Sequence, residues 1–254
     1  MRTGIMRAGT RALIVGLGSL AVLIGLAQVA VSAGWISRFI LPAPTEIWTA
    51  MLELFAEEHP LQAAIATVGR TLSAIGLAIA IGVPCGWALW RYRTAGRAYE
   101  GWLGALFASP KLLLYPLFLV MMGRGFGTLL VMGWLTAVIP IVLKTREGLV
   151  SVPPVLIRVG RSFNLTDRQM LWKILLPSAA PVIFTGIRLS VIYTLIAIIA
   201  LEFLLNLGGL GGLVDNLYDR YDIPGTYAAI VLVLILSIVY FRIVERIQAW
   251  LRSS

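Results

Sequence analysis

Six apolar runs of near bilayer-crossing length constrain this chain more than any other feature. A crossing takes roughly 20 apolar residues to span about 30 Å of hydrocarbon. The runs occupy about residues 12–35, 64–90, 102–122, 128–143, 179–203 and 226–244. The fourth is short and is expected to extend through its Gly-rich approach. Of the 254 residues, 59% are hydrophobic and 13% charged, too few polar side chains to cover a water-soluble globule of this size. The expected fold is an all-α membrane protein of six transmembrane helices in one domain, residues 1–254. The first run follows Arg2, Arg7 and Arg11, and Val31-Ser32-Ala33 could pass for a signal-peptide cleavage site. Its apolar core is too long for a signal peptide, so a retained helix is expected.

The charged residues give the orientation. If residues 1–11 are cytoplasmic, the inner segments carry 15 Lys and Arg against 4 Asp and Glu, and the outer segments 3 against 7. Basic residues accumulate on the cytoplasmic side of membrane proteins, so both termini are expected inside. This placement also accounts for the net charge of +9 without a nucleic-acid partner. Cys85 and His59 are the only cysteine and histidine, which excludes internal disulfides and argues against a Cys/His catalytic pair or a metal site. No G-x-x-x-x-G-K-[ST] loop is present, and no run carries a Ser/His pair, an H-E-x-x-H motif or carboxylates at helical spacing. Gly123-Arg124-Gly125-Phe126-Gly127 is a Gly-rich outer turn with no Lys-Ser or Lys-Thr behind it.

Two connecting segments are more than turns. In the outer segment 36–62, a helix is expected from Pro44-Thr45, with Thr45 as its cap. Ile47, Trp48, Met51, Leu52, Leu54 and Phe55 would share one broad face and Glu46, Glu53 and Glu57 the other. Such a helix would lie along the membrane surface, either as an ordered connector or as a docking element.

The inner segment 144–177 is too long for a tight turn. Ser151 with Pro153 and Pro154 reads as a helix start. Val155, Val159 and Phe163 recur every four residues, with Arg158 and Arg161 projecting from the other side. Asn164 is suited to the left-handed conformation that ends a helix, and Thr166-Asp167-Arg168-Gln169 reads as a capping box. Two short helices would thus form a basic projection, serving either to receive force from a soluble partner or as an inert positive anchor.

Ionisable residues within hydrocarbon are costly and normally face protein or water. Arg70, Lys111, Arg188 and Glu202 are therefore expected to point inward. Lys111 and Arg188 would offer a positive path to an anionic solute, or else cap carbonyls or snorkel to the inner surface. Glu202 would pair with a neighbouring arginine or gate an exit. Tyr115, Tyr193 and Thr194 are candidate pathway residues, with bonding between helices as the alternative. Gly82-x-x-x-Gly86 and Gly104-x-x-x-Ala108 suit close helix packing, with Pro84 and Pro110 adding breaks.

The inner segment resembles the cytoplasmic loop of permease subunits of bacterial ATP-binding-cassette importers, which has Glu-Ala-Ala, a later glycine, and Ile-x-Leu-Pro. Ile174-Leu175-Leu176-Pro177 matches the tail. Arg158, Val159 and Gly160 stand where Glu-Ala-Ala would be, and Asn164 replaces the glycine. Leu41-Pro42-Ala43-Pro44, Ser109-Pro110-Lys111 through Tyr115-Pro116-Leu117, Gly123-x-Gly125, Gly186-Ile187-Arg188 and Glu202-Phe203-Leu204 resemble signposts of the nitrate, sulfonate, taurine and pyrimidine branch. The resemblance implies a type I importer permease fold in the bacterial inner membrane. It implies a second permease copy, in a homodimer, and a periplasmic or lipid-anchored binding protein. Cytoplasmic ATPase subunits would hold the ATP and Mg, this chain binding neither. Arg158, Val159, Gly160, Arg161, Phe163, Asn164, Leu165, Thr166, Leu171 and Pro177 would then form the ATPase-coupling segment. The expected cargo is a small solute such as a sulfonate, nitrate or pyrimidine-like precursor. An ATP-independent secondary transporter or channel is the rival reading.

Overall fold

The computed structural model describes residues 2–253, with side chains described for residues 14–248. The basic amino-terminal segment 1–11, expected in the cytoplasm, lies outside the residues with described side chains. Every regular element among the described residues is helical. The helices are α1 (Arg2–Ser32), α2 (Pro44–Glu57), α3 (Pro60–Arg91), α4 (Arg93–Ala108), α5 (Tyr115–Met122), α6 (Phe126–Val150), α7 (Pro154–Ser162), α8 (Asp167–Met170), α9 (Leu176–Leu205), α10 (Gly209–Asp219) and α11 (Ile223–Ser253). A short 3-10 turn, Lys111–Leu114, precedes α5, and a π turn, Leu171–Leu175, precedes α9. Among the described residues, five helical stretches are long and apolar enough to cross a membrane, or six if a bent pair is one crossing.

The chain divides into two compact units. The first comprises the chain up to Pro60 together with Val214–Leu232. Here the Thr45 amide donates to Gln28 Oε1 at 3.3 Å, Arg220 pairs with Glu58 at 2.6 Å, and the Tyr227 hydroxyl donates to the Ile40 carbonyl at 2.8 Å. Helix α2 starts where expected but is capped differently. Ala43 occupies the cap position and has no side-chain acceptor, while Glu46 Oε2 accepts from the Ala43 amide at 2.9 Å. Pro44 fills the first helical position, so Thr45 already lies inside the first turn and cannot serve as the cap. The broad apolar face is split: Ala50 and Leu54 are buried, whereas Trp48, Leu52 and Phe55 stay exposed.

The second unit, Leu61–Leu213 and the chain from Val233 onward, is built on α6 packed along α9. Ala137 and Ile141 of α6, Val191 and Leu195 of α9, Ile75 and Ala78 of α3 and Tyr240 of α11 form its central cluster. Leu129, Met132, Ile198 and Leu201 form a second cluster toward the start of α6. The Gly82/Gly86 pair is a packing seam, because a Cβ at Gly82 would lie 2.9 Å from Ile141 and one at Gly86 2.6 Å from Thr145. Gly104 meets nothing within 4 Å, so the Gly104/Ala108 pair is not a seam within this chain.

One expectation about the crossings is corrected and another is extended. The run at 102–122 is not one straight helix: α4 and the segment Lys111–Met122 are bent by 86°. Ser109 is extended, the conformation that a following proline favours, and Pro110 cannot continue the hydrogen-bond ladder. Pro84, by contrast, lies inside unbroken α3. The fourth run lengthens at both ends: α6 takes in Phe126 and Gly127 of the Gly-rich approach, as expected, with Gly125 at the cap position, and it also continues beyond the expected end, through Lys144-Thr145-Arg146-Glu147 to Val150. Charged residues end the apolar run there without ending the helix, and Lys144 pairs with Glu147 at 2.7 Å along its surface.

Candidate functional site

The segment from Ser151 to Pro177 folds as the pair of short helices expected from its caps, with one adjustment at the start. Ser151 closes α6, its hydroxyl donating to the Gly148 carbonyl at 2.8 Å, and α7 begins at Pro154. Asn164 has φ +51°, the Asn164 amide donates to the Arg161 carbonyl, and the Leu165 amide donates to the Gly160 carbonyl at 3.1 Å. These bonds close a Schellman-type end, where asparagine takes the place that glycine most often holds. The next helix is capped reciprocally: Thr166 Oγ1 accepts from the Gln169 amide at 3.3 Å and Gln169 Oε1 accepts from the Thr166 amide at 3.0 Å.

Packing makes the projection rigid. Gly160 is buried, and a Cβ there would lie 2.6 Å from both Met170 and Ile174, so α7 sits directly on the following helical segment. Met170, Leu175, Leu149, Val152, Ala179 and Ile183 form the cluster beneath, joined by the partly buried Leu171, Trp87 and Trp90. The π turn at Leu171–Leu175 ends two residues before Pro177. Pro177 cannot donate to the carbonyl one turn back, and a π turn is one way a helix absorbs such a missing bond. Opposite this buried side, Val155, Val159 and Phe163 are exposed, Phe163 at 75%. Arg158 and Arg161 flank them in solvent. The periodic apolar row therefore faces outward, while Gly160 and Leu171 hold the projection together.

The polar residues named within the crossings are held by separate sets of partners. Lys111 Nζ donates to the carbonyls of Leu106, Phe107 and Ser109 at 3.1, 2.9 and 3.3 Å. It thereby caps the end of α4, whose last carbonyls lose helical partners at the bend. The ammonium also lies 5.6 Å from the Phe107 ring centre, and Phe107 meets Tyr193 edge to face at 5.6 Å. Arg188 pairs with Glu245 at 3.0 Å and lies over the Phe241 ring at 4.8 Å. Tyr115 packs on the cluster of Leu129 and Met132. Thr194 is buried, and its hydroxyl has no hydrogen-bond partner.

Glu202 is fully buried. Its carboxylate accepts from Arg70 at 2.6 Å, from the Thr67 hydroxyl at 2.7 Å and from the Gly211 amide at 3.2 Å. Arg70 donates also to the Leu207 carbonyl at 2.8 Å and the Gly208 carbonyl at 3.3 Å. Arg124, from the Gly-rich turn, donates to the carbonyls of Leu205 at 2.5 Å and Asn206 at 3.0 Å. Two arginines thus satisfy the carbonyls at the end of α9, where Asn206 turns left-handed. The sequence reading anticipated an arginine partner for Glu202 but missed Arg124, whose only cue was a cation beside flexible glycines. Among the described residues no group of three His, Cys, Asp or Glu could hold a metal.

Long apolar helices, a broken crossing and a packed double-helix projection between two of them mark a multi-pass membrane protein. The family of binding-protein-dependent transport system inner membrane components matches residues 78–253, and the chain belongs to it. The chain is 35% identical to the osmoprotectant import permease protein OsmW of Salmonella typhimurium, over 69% of this chain and 83% of that one. It is 28% identical to the bicarbonate transport system permease protein CmpB of Synechocystis, over 75% of this chain and 70% of that one. An inward-facing structure of the MetNI methionine ABC transporter superposes with a TM-score of 0.65 at 22% identity, covering 76% of this chain and 95% of that one. The fold is that of a type I importer permease, and the chain is an inner-membrane permease subunit of an ATP-driven, binding-protein-dependent importer.

Proposed function

We propose that the α7–α8 projection is the handle by which a separate ABC ATPase drives this permease. The observation that carries the reading is the exposed row of Val155, Val159 and Phe163 on a helix anchored from behind by Gly160. An apolar row on a rigid base is suited to insertion in a groove, and Arg158 beside it favours acidic groups on that partner. Asn164, Leu165 and Thr166 fix the turn. Leu171 and Pro177 link the projection to α9, so a push on α7 moves a core crossing. ATP and Mg bind in the ATPase subunits, and a second copy of this chain completes the membrane body as a homodimer.

A periplasmic or lipid-anchored binding protein delivers and selects the cargo. The cargo class we infer is a small polar solute, as osmoprotectants and bicarbonate are for the relatives named above. Lys111 and Arg188 are engaged by carbonyls and by Glu245, so they lend no support to an anion-lined path. In proteoliposomes holding this chain, its ATPase and its binding protein, ATP hydrolysis should rise only when all three are present. Solute uptake by this chain with no ATPase would overturn the reading.

A further inference from the structure

A cavity of about 580 Å³ opens where α3 passes into α4 and meets the α7–α8 projection. This volume lies within the range of small-ligand sites. Trp87 and Trp90 line one wall, and Arg91, Arg93, Arg161 and Arg168 stand around it. Asp167 is the single acid in the lining. None of these four arginines takes part in the ion pairs found among the described residues. Four cations against one carboxylate leave a positive cavity whose counter-charge is not supplied by the described residues that line it. Its place narrows the identity of that counter-charge. Trp87 and Trp90 end a membrane crossing, and tryptophan is enriched at headgroup depth. Basic pockets beside transmembrane helices on the cytoplasmic side suit anionic headgroups.

We propose that this cavity binds an anionic phospholipid of the inner leaflet, its phosphate held by Arg91 and Arg93 with Arg161 and Arg168, and its glycerol and upper acyl segments against Trp87 and Trp90. The lipid then touches both the α3–α4 corner and the projection that we read as the motor handle. It becomes a third component of the joint between them.

The test uses the full chain in phosphatidylcholine nanodiscs carrying a trace of photoactivatable phosphatidylglycerol or, in a parallel sample, photoactivatable phosphatidylcholine. Cross-links are mapped by peptide mass spectrometry. Phosphatidylglycerol is expected to label residues 87–93 and 161–175 in preference to phosphatidylcholine. That preference should fall about fivefold for each of Arg91→Gln and Arg93→Gln, while Arg97→Gln, an exposed arginine of α4 outside the cavity, leaves it unchanged. Arg168→Gln gives an independent reading should the α3 variants fail to insert. Equal labelling by the two lipids, or an equal loss in Arg97→Gln, overturns the site. Displacement by inorganic phosphate but not by chloride at matched ionic strength assigns the cavity to a soluble anion and overturns the lipid. Labelling abolished by the cognate ATPase assigns the cavity to that protein and overturns it likewise.

Discussion

Arg70 and Glu202 approach to 2.6 Å, from helices α3 and α9, with the carboxylate wholly shut from solvent. The pair ties the first third of α3 to the end of α9, and Arg70 reaches on to the carbonyls of Leu207 and Gly208. Removing one partner of a buried pair leaves a charge with no compensation and costs about 3–5 kcal/mol. Glu202→Ala and Arg70→Ala should each reduce the folded fraction in a detergent thermal-unfolding series. The Arg188–Glu245 pair is about a third exposed on each side, so Arg188→Gln should cost about 1 kcal/mol or less. Equal losses at the two pairs would contradict this ranking.

At Asn164 the backbone is left-handed. Asn164→Gly should leave thermal stability and ATPase copurification near wild type, because glycine adopts this conformation without penalty. Asn164→Val should cost about 1–3 kcal/mol, since a β-branched side chain resists positive φ.

Phe163 and Leu171 occupy the same segment but different environments. Phe163 is exposed and Leu171 packs partly buried beside Trp87 and Trp90. Phe163→Asp should abolish copurification with the ATPase while membrane insertion and the unfolding temperature stay unchanged. Leu171→Glu should lower the unfolding temperature itself, because a carboxylate would enter the apolar support of α7.

Gly86 meets Thr145 and the Val142 carbonyl at distances with no room for a side chain. Gly86→Leu should cost about 1–3 kcal/mol through overpacking between α3 and α6, visible as a lower yield of folded monomer. Gly104→Leu, where open space surrounds the position, should not lower it.

The sequence reading succeeded where a local rule acts alone. Run length located the crossings, and Thr166 with Gln169 announced a capping box because both halves lie within four residues. Asn164 was readable for the same reason. What remained hidden depended on partners distant in the chain or on competition between rules. Arg188 finds Glu245 across 57 residues and Arg124 finds carbonyls 81 and 82 residues away, neither of which hydropathy encodes. The 86° bend in the third run needed Pro110 to prevail over a continuous apolar pattern that includes Pro116, which α5 accommodates in its first turn. At α2, Pro44 claimed the first helical position and moved the cap from Thr45 to Ala43. Periodicity identified the row of Val155, Val159 and Phe163 but could not tell an exposed face from a buried one; the burial of Gly160 behind it gives that answer.

Site-specific photo-cross-linking from position 163 tests the coupling claim most directly. A benzoylphenylalanine in place of Phe163, in cells expressing the whole transporter, should form an adduct with the ABC ATPase subunit. The same probe in place of Phe55, an exposed residue of α2, should form none with it. An adduct from position 163 with the periplasmic binding protein, or with lipid alone, would contradict the account.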